Sequence, residues 1–514
     1  MTTDPKNAND LCQLDALALS ATIHRREASC REVMQAFLDR IARLNPQANA
    51  IVSMRDDADL LAQADACDAL LARGESLGWM HGFPHAVKDL EQTAGIVTTW
   101  GSPLYRHHVP QADSLMVSRI KAAGAIIIGK TNVPEWGMGS HTFNPVFGVT
   151  PNAYDPSRTC GGSSGGAAVG LALRMLPVAD GSDFGGSLRN PAGWSNVFGM
   201  RPSRGRVPKW PADDVFFAQL STEGPMARNL PDLAALLATQ AGADPRQPLS
   251  LPKDAGIGPD SLTREDDHWR TVKIGWLGDY DGHLAMEPGV VALCERALQD
   301  FSGLGCHVEA TALGFDAESL WRSFCALRSL SNVGRFEPIH ADAARWAQVK
   351  PETQWEFEQG RAMSTSEVQR ATVVRTAWYQ RVLALFERYD FLALPTAQCF
   401  PFDITQRWPA ELNGRTMDSY HRWMEVVAGV TLAGLPALSV PAGFDARGLP
   451  MGLQLIGPPQ ADQAVMQLGH AYDLATQWVG KRVPAAAGLA TAPTLESGHS
   501  SGDQADGQPA CVSI

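Results

Sequence analysis

Between about residue 80 and residue 245 the chain alternates short apolar runs with glycine-rich turns and helical stretches. This alternation restricts the possible folds more than any other feature of the sequence. His85-Ala86-Val87, Ala125 to Ile128 and Leu176-Pro177-Val178-Ala179 read as strands, and Leu115 to Ala123 reads as a helix. Strands interleaved with helices call for a layered α/β sheet rather than a helical bundle or an all-β sandwich. The 47 glycines and 34 prolines are spread without a period over 514 residues, which excludes a collagen-like repeat and fits many turns between short elements. The length would allow several domains or one large elaborated fold.

The flanking regions follow the same logic. From Leu14 to Leu44 the pattern is helical, with Ser29 and Glu32 forming a capping-box signature ahead of Val33, Phe37, Leu38, Ile41 and Leu44 on one face. A weakly patterned stretch near 244–270 leads to a strand at Val272 to Leu277 and a helix around Val290 to Phe301. Residues from about 310 to 390 read as mostly helical. Phe391 to Pro395, Ala437 to Pro441 and Gly452 to Ile456 return to strand. Val426 to Phe444 carries no charge and is long enough to span a bilayer. Pro436 and Pro441 interrupt it, however, so it reads as a buried helix followed by a core strand. The formal charge of −12, from 43 basic and 55 acidic residues, argues against a bulk nucleic-acid binder. Nine cysteines, an odd number without a CxxC pair, argue against a disulfide framework. With no apolar leader at Met1 to Asp10, a cytoplasmic location is the expectation. Cys511-Val512-Ser513-Ile514 is taken as a chance likeness to a prenylation box, because Ser513 stands where an aliphatic residue belongs.

Three motifs compete for the chemistry. Gly124-Ala125-Ile126-Ile127-Ile128-Gly129-Lys130-Thr131 satisfies the phosphate-loop pattern letter for letter. Its variable positions spell a buried strand, not a flexible loop, and Pro134 cuts short the helix that should follow, so a core strand is the better reading. Gly161-Gly162-Ser163-Ser164-Gly165-Gly166 fits the nucleophile elbow of α/β-hydrolases at either serine. The preceding Asp155 to Cys160 reads as loop where an elbow needs a strand, whereas Ala167 to Met175 is a helical run. The glycine turn therefore feeds a helix N-terminus, where backbone donors gather around a hydroxyl. Asp183-Phe184-Gly185-Gly186-Ser187 places two glycines before a serine, an arrangement that can turn successive N–H groups into one concavity.

In order along the chain, Gly82 to Leu90, the Gly/Ser turn and the Asp-Phe-Gly-Gly-Ser turn closely resemble the amidase signature family. Ser163 follows Lys88 by 75 residues, and Ser187 follows Ser163 by 24. Ala123 to Glu135, Gly199-Met200-Arg201-Pro202, Gly224 to Arg228 and Gly434 through Gly457 extend the likeness over most of the chain. The resemblance implies one α/β fold over residues 10–484, with a mixed central sheet covered by helices on both faces. It divides into a catalytic core at about 75–245, a mostly helical insertion over the pocket at about 250–390 and a return to the core at about 391–484. Residues 485–514 read as a disordered tail.

The resemblance also implies amide hydrolysis by a Ser–cis-Ser–Lys triad. Ser187 is the expected nucleophile, Lys88 the base and Ser163, on a cis peptide, the bridge. The N–H groups of Phe184, Gly185, Gly186 and Ser187 are the expected oxyanion hole. Lysine can serve as the base only when neutral, so burial must lower a pKa that starts near 10.4. Ser182, Phe184 and Ala167 depart from the commonest family residues without removing a catalytic group. Trp100, Trp136, Met138, Phe216 and Phe217 are the candidate pocket residues. No metal or cofactor is expected. The expected partner is a small amide, carbamate or ester, with no nucleic acid and no membrane, and the chain is expected to act as a monomer or homodimer. The alternative is the glutaminase-type A subunit of an aminoacyl-tRNA amidotransferase, which works only with partner chains.

Overall fold

Ile126, Ile127 and Ile128, the centre of the false phosphate loop, are buried in the strand Ile126–Thr131. Each is worth about 1.5–3 kcal/mol of burial, which explains why this segment is strand and not phosphate-binding loop. Its Lys130 is fully buried, and the Nζ donates inside the core to Thr93 Oγ1 at 2.9 Å and to the Glu91 carbonyl. The computed structural model describes residues 11–254 and 256–487. In it, Ile126–Thr131 pairs parallel with Pro84–Lys88 and antiparallel with Ile51–Val52.

The larger sheet has eight strands and is mixed. Across it run His307–Ala310, Lys273–Trp276, Phe391–Pro395, Pro450–Ile456, Ala437–Phe444, Phe198–Arg201, Thr222–Ala227 and Ala179–Asp183. The first three are mutually parallel, and every later pairing is antiparallel. Helices cover both faces. The uncharged stretch from Val426 resolves as expected into the helix Ala428–Ala433 and the buried strand Ala437–Phe444. The capping box also forms: Glu32 N donates to Ser29 Oγ, and Ser29 N donates to Glu32 Oε2. It starts the helix Cys30–Ala48, which buries Val33, Phe37, Leu38 and Ile41.

The segment expected at about 250–390 as a mostly helical insertion also carries strands of the sheet. Its strands Lys273–Trp276 and His307–Ala310 extend the central sheet to its edge, and its helices Ala317–His340, Pro351–Ala362 and Thr365–Phe386 pack together. Within the tail expected from 485, Ala485–Ala487 form a short turn, and the buried Ala487 carbonyl accepts from Arg40 Nη2 at 2.8 Å. The rest of that tail, with its Cys511 box, lies outside the described residues. Among the described residues no helix is long and apolar enough to cross a membrane.

Candidate active site

Three chain segments converge where the two sheets meet. Lys88 ends the strand Pro84–Lys88, and its own N–H donates to Asp180 Oδ2 at 3.1 Å, which fastens it to the strand Ala179–Asp183. Ser163 and Ser164 stand at the entrance to the helix Gly165–Ala172, and the Gly162–Ser163 peptide is cis. Gly166 lets this helix start against the neighbouring backbone, since a Cβ there would lie 2.3 Å from Asn132 N and 2.5 Å from Ala50 O. Ser187 follows the strand Ala179–Asp183 on a tight turn, and Ser164 N donates to the Ser187 carbonyl at 3.2 Å.

The Lys88 amine is fully buried among oxygens. It lies 2.9 Å from Ser163 Oγ, 2.7 Å from Ser164 Oγ, 3.0 Å from Ser182 Oγ and 3.2 Å from the Ser182 carbonyl. Burial lowers its pKa to about 7, against the opposing pull of the Glu91, Asp180 and Asp183 carboxylates. A neutral amine has two N–H donors and one lone pair, so one of the three hydroxyls can donate back to it. Such a lysine can accept a proton from serine near neutral pH.

The turn before Ser187 is built on Asp183. Its Oδ1 accepts from Gly186 N at 3.0 Å and its Oδ2 from Leu188 N at 3.2 Å. Arg189 donates to both oxygens at 3.0 Å, and Arg201 Nη1 to Oδ1 at 3.2 Å. Burial opposes ionisation of this carboxyl, but the Arg189 and Arg201 guanidiniums outweigh it and hold the group well below the usual carboxylate range. Gly186 has φ +89°, the left-handed region where a side chain is strained, and a Cβ would lie 2.9 Å from Val427 Cγ2. Gly186 departs from the expected oxyanion hole, because Asp183 takes its N–H. Among the described residues the N–H groups of Phe184, Gly185 and Ser187 have no acceptor.

A family model described as Amidase matches residues 32–466. The chain belongs to the amidase signature family. It is 34% identical over 477 residues to the A subunit of glutamyl-tRNA(Gln) amidotransferase from Thermosynechococcus vestitus, covering 88% of this chain and 96% of that one. To its counterpart from Acidothermus cellulolyticus it is 35% identical over 491 residues, covering 91% and 95%. Among solved structures, a bacterial aryl acylamidase of this family superposes with a TM-score of 0.82 at 27% identity, covering 91% of this chain and 97% of that one. The chain is thus a carbon–nitrogen hydrolase of the amidase type.

The five expected pocket residues divide. Trp136 stacks on Trp100 at 5.8 Å between ring centroids, and Trp136 and Met138 are buried. Between them Gly137 passes Ser163: a Cβ on it would lie 3.4 Å from Ser163 Oγ. Phe216 and Phe217 instead face solvent, 61% and 88% exposed, on a turn whose N–H groups donate to the Asp214 carboxylate. A groove of about 930 Å³ bordered by Leu17, Trp79, Arg119 and Pro259 includes none of these residues. Sequence reasoning missed Ser164 and Ser182 as partners of the Lys88 amine, and it missed Arg328 beside Phe184, with its neighbours Glu356 and Tyr420. Glycine spacing flagged the loops, but no local pattern marked the last three.

Proposed function

We propose that this family member hydrolyses a carboxylic amide to acid and amine through an acyl-enzyme on Ser187. The observation that carries this reading is a buried lysine with a pKa near 7, 2.9 Å from Ser163 Oγ and in the same cluster as a turn with free N–H donors. Ser187 Oγ attacks the carbonyl carbon as its proton passes to Ser163 and the Ser163 proton passes to Lys88. The tetrahedral oxyanion accepts from the N–H groups of Phe184, Gly185 and Ser187. Collapse breaks the C–N bond, and the Lys88 proton returns through Ser163 to the leaving amine. Water then attacks the acyl-enzyme by the same relay. Carbamates and esters present the same carbonyl and fit the same steps.

The second reading is the glutaminase component of an aminoacyl-tRNA amidotransferase, which would release ammonia from glutamine for a partner. The relatives at 34% and 35% identity give it stronger support than the 27% likeness to the aryl acylamidase gives a free amidase. Assays of the purified chain on L-glutamine, with and without partner chains, and on simple aryl and alkyl amides separate the two. Turnover of simple amides by the single chain identifies a free amidase. Partner-dependent release of ammonia from glutamine alone identifies the amidotransferase component.

A fluorophosphonate probe is expected to label Ser187, as read by peptide mass spectrometry. Labelling of Ser163 or Ser164 in its place would sink the proposed relay.

A further inference from the structure

Arg328 lies in the middle of the helix Ala317–His340, yet the residue is only 5% exposed and its guanidinium borders the Ser187 turn. Its Cζ sits over the Phe184 ring at 4.9 Å. A Cβ on Gly185 would lie 3.2 Å from Phe324 Cζ, 3.9 Å from Met424 Cε and 4.0 Å from Arg328 Nη1. Met138, next to the glycine that passes Ser163, receives Arg328 Nη2 on its sulfur at 3.4 Å. The guanidinium therefore spans the two loops that frame the triad.

Its other polar neighbours are Glu356 and Tyr420. Nε lies 2.7 Å from Glu356 Oε1, and Nη2 donates to Tyr420 Oη at 3.0 Å. Tyr420 Oη in turn donates to Glu356 Oε2 at 2.5 Å. Despite its approach to Glu356, Nε makes no hydrogen bond, and among the described residues nothing accepts the two N–H groups of Nη1 either. An unmade donor on a largely buried side chain is free to meet a ligand, and Nη1 is the one that borders Gly185 in the Ser187 turn.

We propose that Arg328 Nη1 is a substrate-binding donor that selects acyl groups carrying an uncharged hydrogen-bond acceptor within a few bonds of the scissile carbonyl. This rests on the acyl-enzyme at Ser187. The charge argument picks the class of acceptor. Glu356 already balances Arg328, so an acyl carboxylate would bring an unpaired negative charge into a buried site, whereas an ether or carbonyl oxygen brings none. Phe184, Phe324 and Met424 supply the apolar surface for the rest of the acyl group.

Three p-nitroanilides test this. Butyryl and methoxyacetyl p-nitroanilide differ only by an ether oxygen in place of the β-methylene, and succinyl p-nitroanilide adds a carboxylate. The readout is the methoxyacetyl-to-butyryl ratio of kcat/KM, compared between wild type and variants so that intrinsic reactivity cancels. Arg328→Met leaves Glu356 buried and unpaired, so Arg328→Met/Glu356→Gln, which removes both charges, is measured beside it. In the double variant the ratio is expected to fall about tenfold, the scale of one hydrogen bond. An unchanged ratio overturns the proposal, as does an equal fall of both rates, which would make Arg328 a structural tie between helix and loop. Wild-type preference for the succinyl substrate overturns the choice of a neutral acceptor. No turnover of any of the three, together with no fluorophosphonate labelling of Ser187, overturns the acyl-enzyme reading itself and this inference with it.

Discussion

Replacing Lys88 with alanine is expected to lower kcat/KM by about 10³–10⁴-fold, the range for loss of a general base that acts through a serine. The wild type should show a matching pH signature. With its pKa lowered to about 7 by burial, Lys88 is protonated below that pH and cannot accept a proton from Ser163. Log kcat/KM should therefore rise with unit slope up to about pH 7 and level off above it. The variant should show neither the rise nor the plateau, while its far-UV circular dichroism matches the wild type. A flat wild-type profile, or a Lys88→Ala enzyme of near-normal rate, would remove lysine from the mechanism. The expectation has a firm physical basis because the amine sits among three hydroxyls and a carbonyl, with no carboxylate of the described residues in ion-pair contact. An ammonium there would be poorly stabilised, and a neutral amine is well satisfied.

Much of this site could be read from the sequence, because its framework is made of glycines with local reasons to be there. The Gly/Ser turn had to precede a helix, an expectation that depends on neighbours within a few residues. The apolar runs likewise marked most strands, since their side chains are buried. His307–Ala310 escaped notice because it is an edge strand with His307, Glu309 and Ala310 exposed, so no apolar run announces it.

The Gly186 N–H was assigned to an oxyanion, but the Asp183 carboxylate three residues away takes it, a choice set by the fold of the turn. Phe216 and Phe217 are expected pocket residues that the structure leaves exposed. Asp214 caps their turn and holds them at the surface. Arg328 was invisible for another reason. It lies 141 residues beyond Ser187, on a helix with no unusual pattern, and only the tertiary fold brings it to Phe184.

Asp183→Asn is expected to destabilise the protein by about 3–5 kcal/mol, the cost of breaking a buried ion pair from one side. Five donors converge on the carboxylate: the N–H groups of Gly186 and Leu188, two from Arg189 and one from Arg201. An amide of the same shape would turn an NH₂ group towards donors already aimed at one oxygen, and it would leave two buried guanidiniums without their counter-charge. The dependence on pH has a definite sign. Because the folded-state pKa is depressed, the Asp183 contribution is fully present above the ordinary value of 3.8 and is lost as pH falls through the folded value. The stability gap between wild type and variant, measured by urea unfolding, should thus be constant near neutrality and narrow below about pH 4. Function should suffer separately from stability, since Gly186 and Leu188 flank Ser187 and owe their orientation to this carboxylate. At a temperature where the variant is still folded, its Ser187 should react with a fluorophosphonate at least about tenfold more slowly than wild type, the equivalent of 1.4 kcal/mol in the barrier. Normal labelling by a destabilised but folded variant would show that the turn holds its shape without Asp183, and would limit that residue to stability.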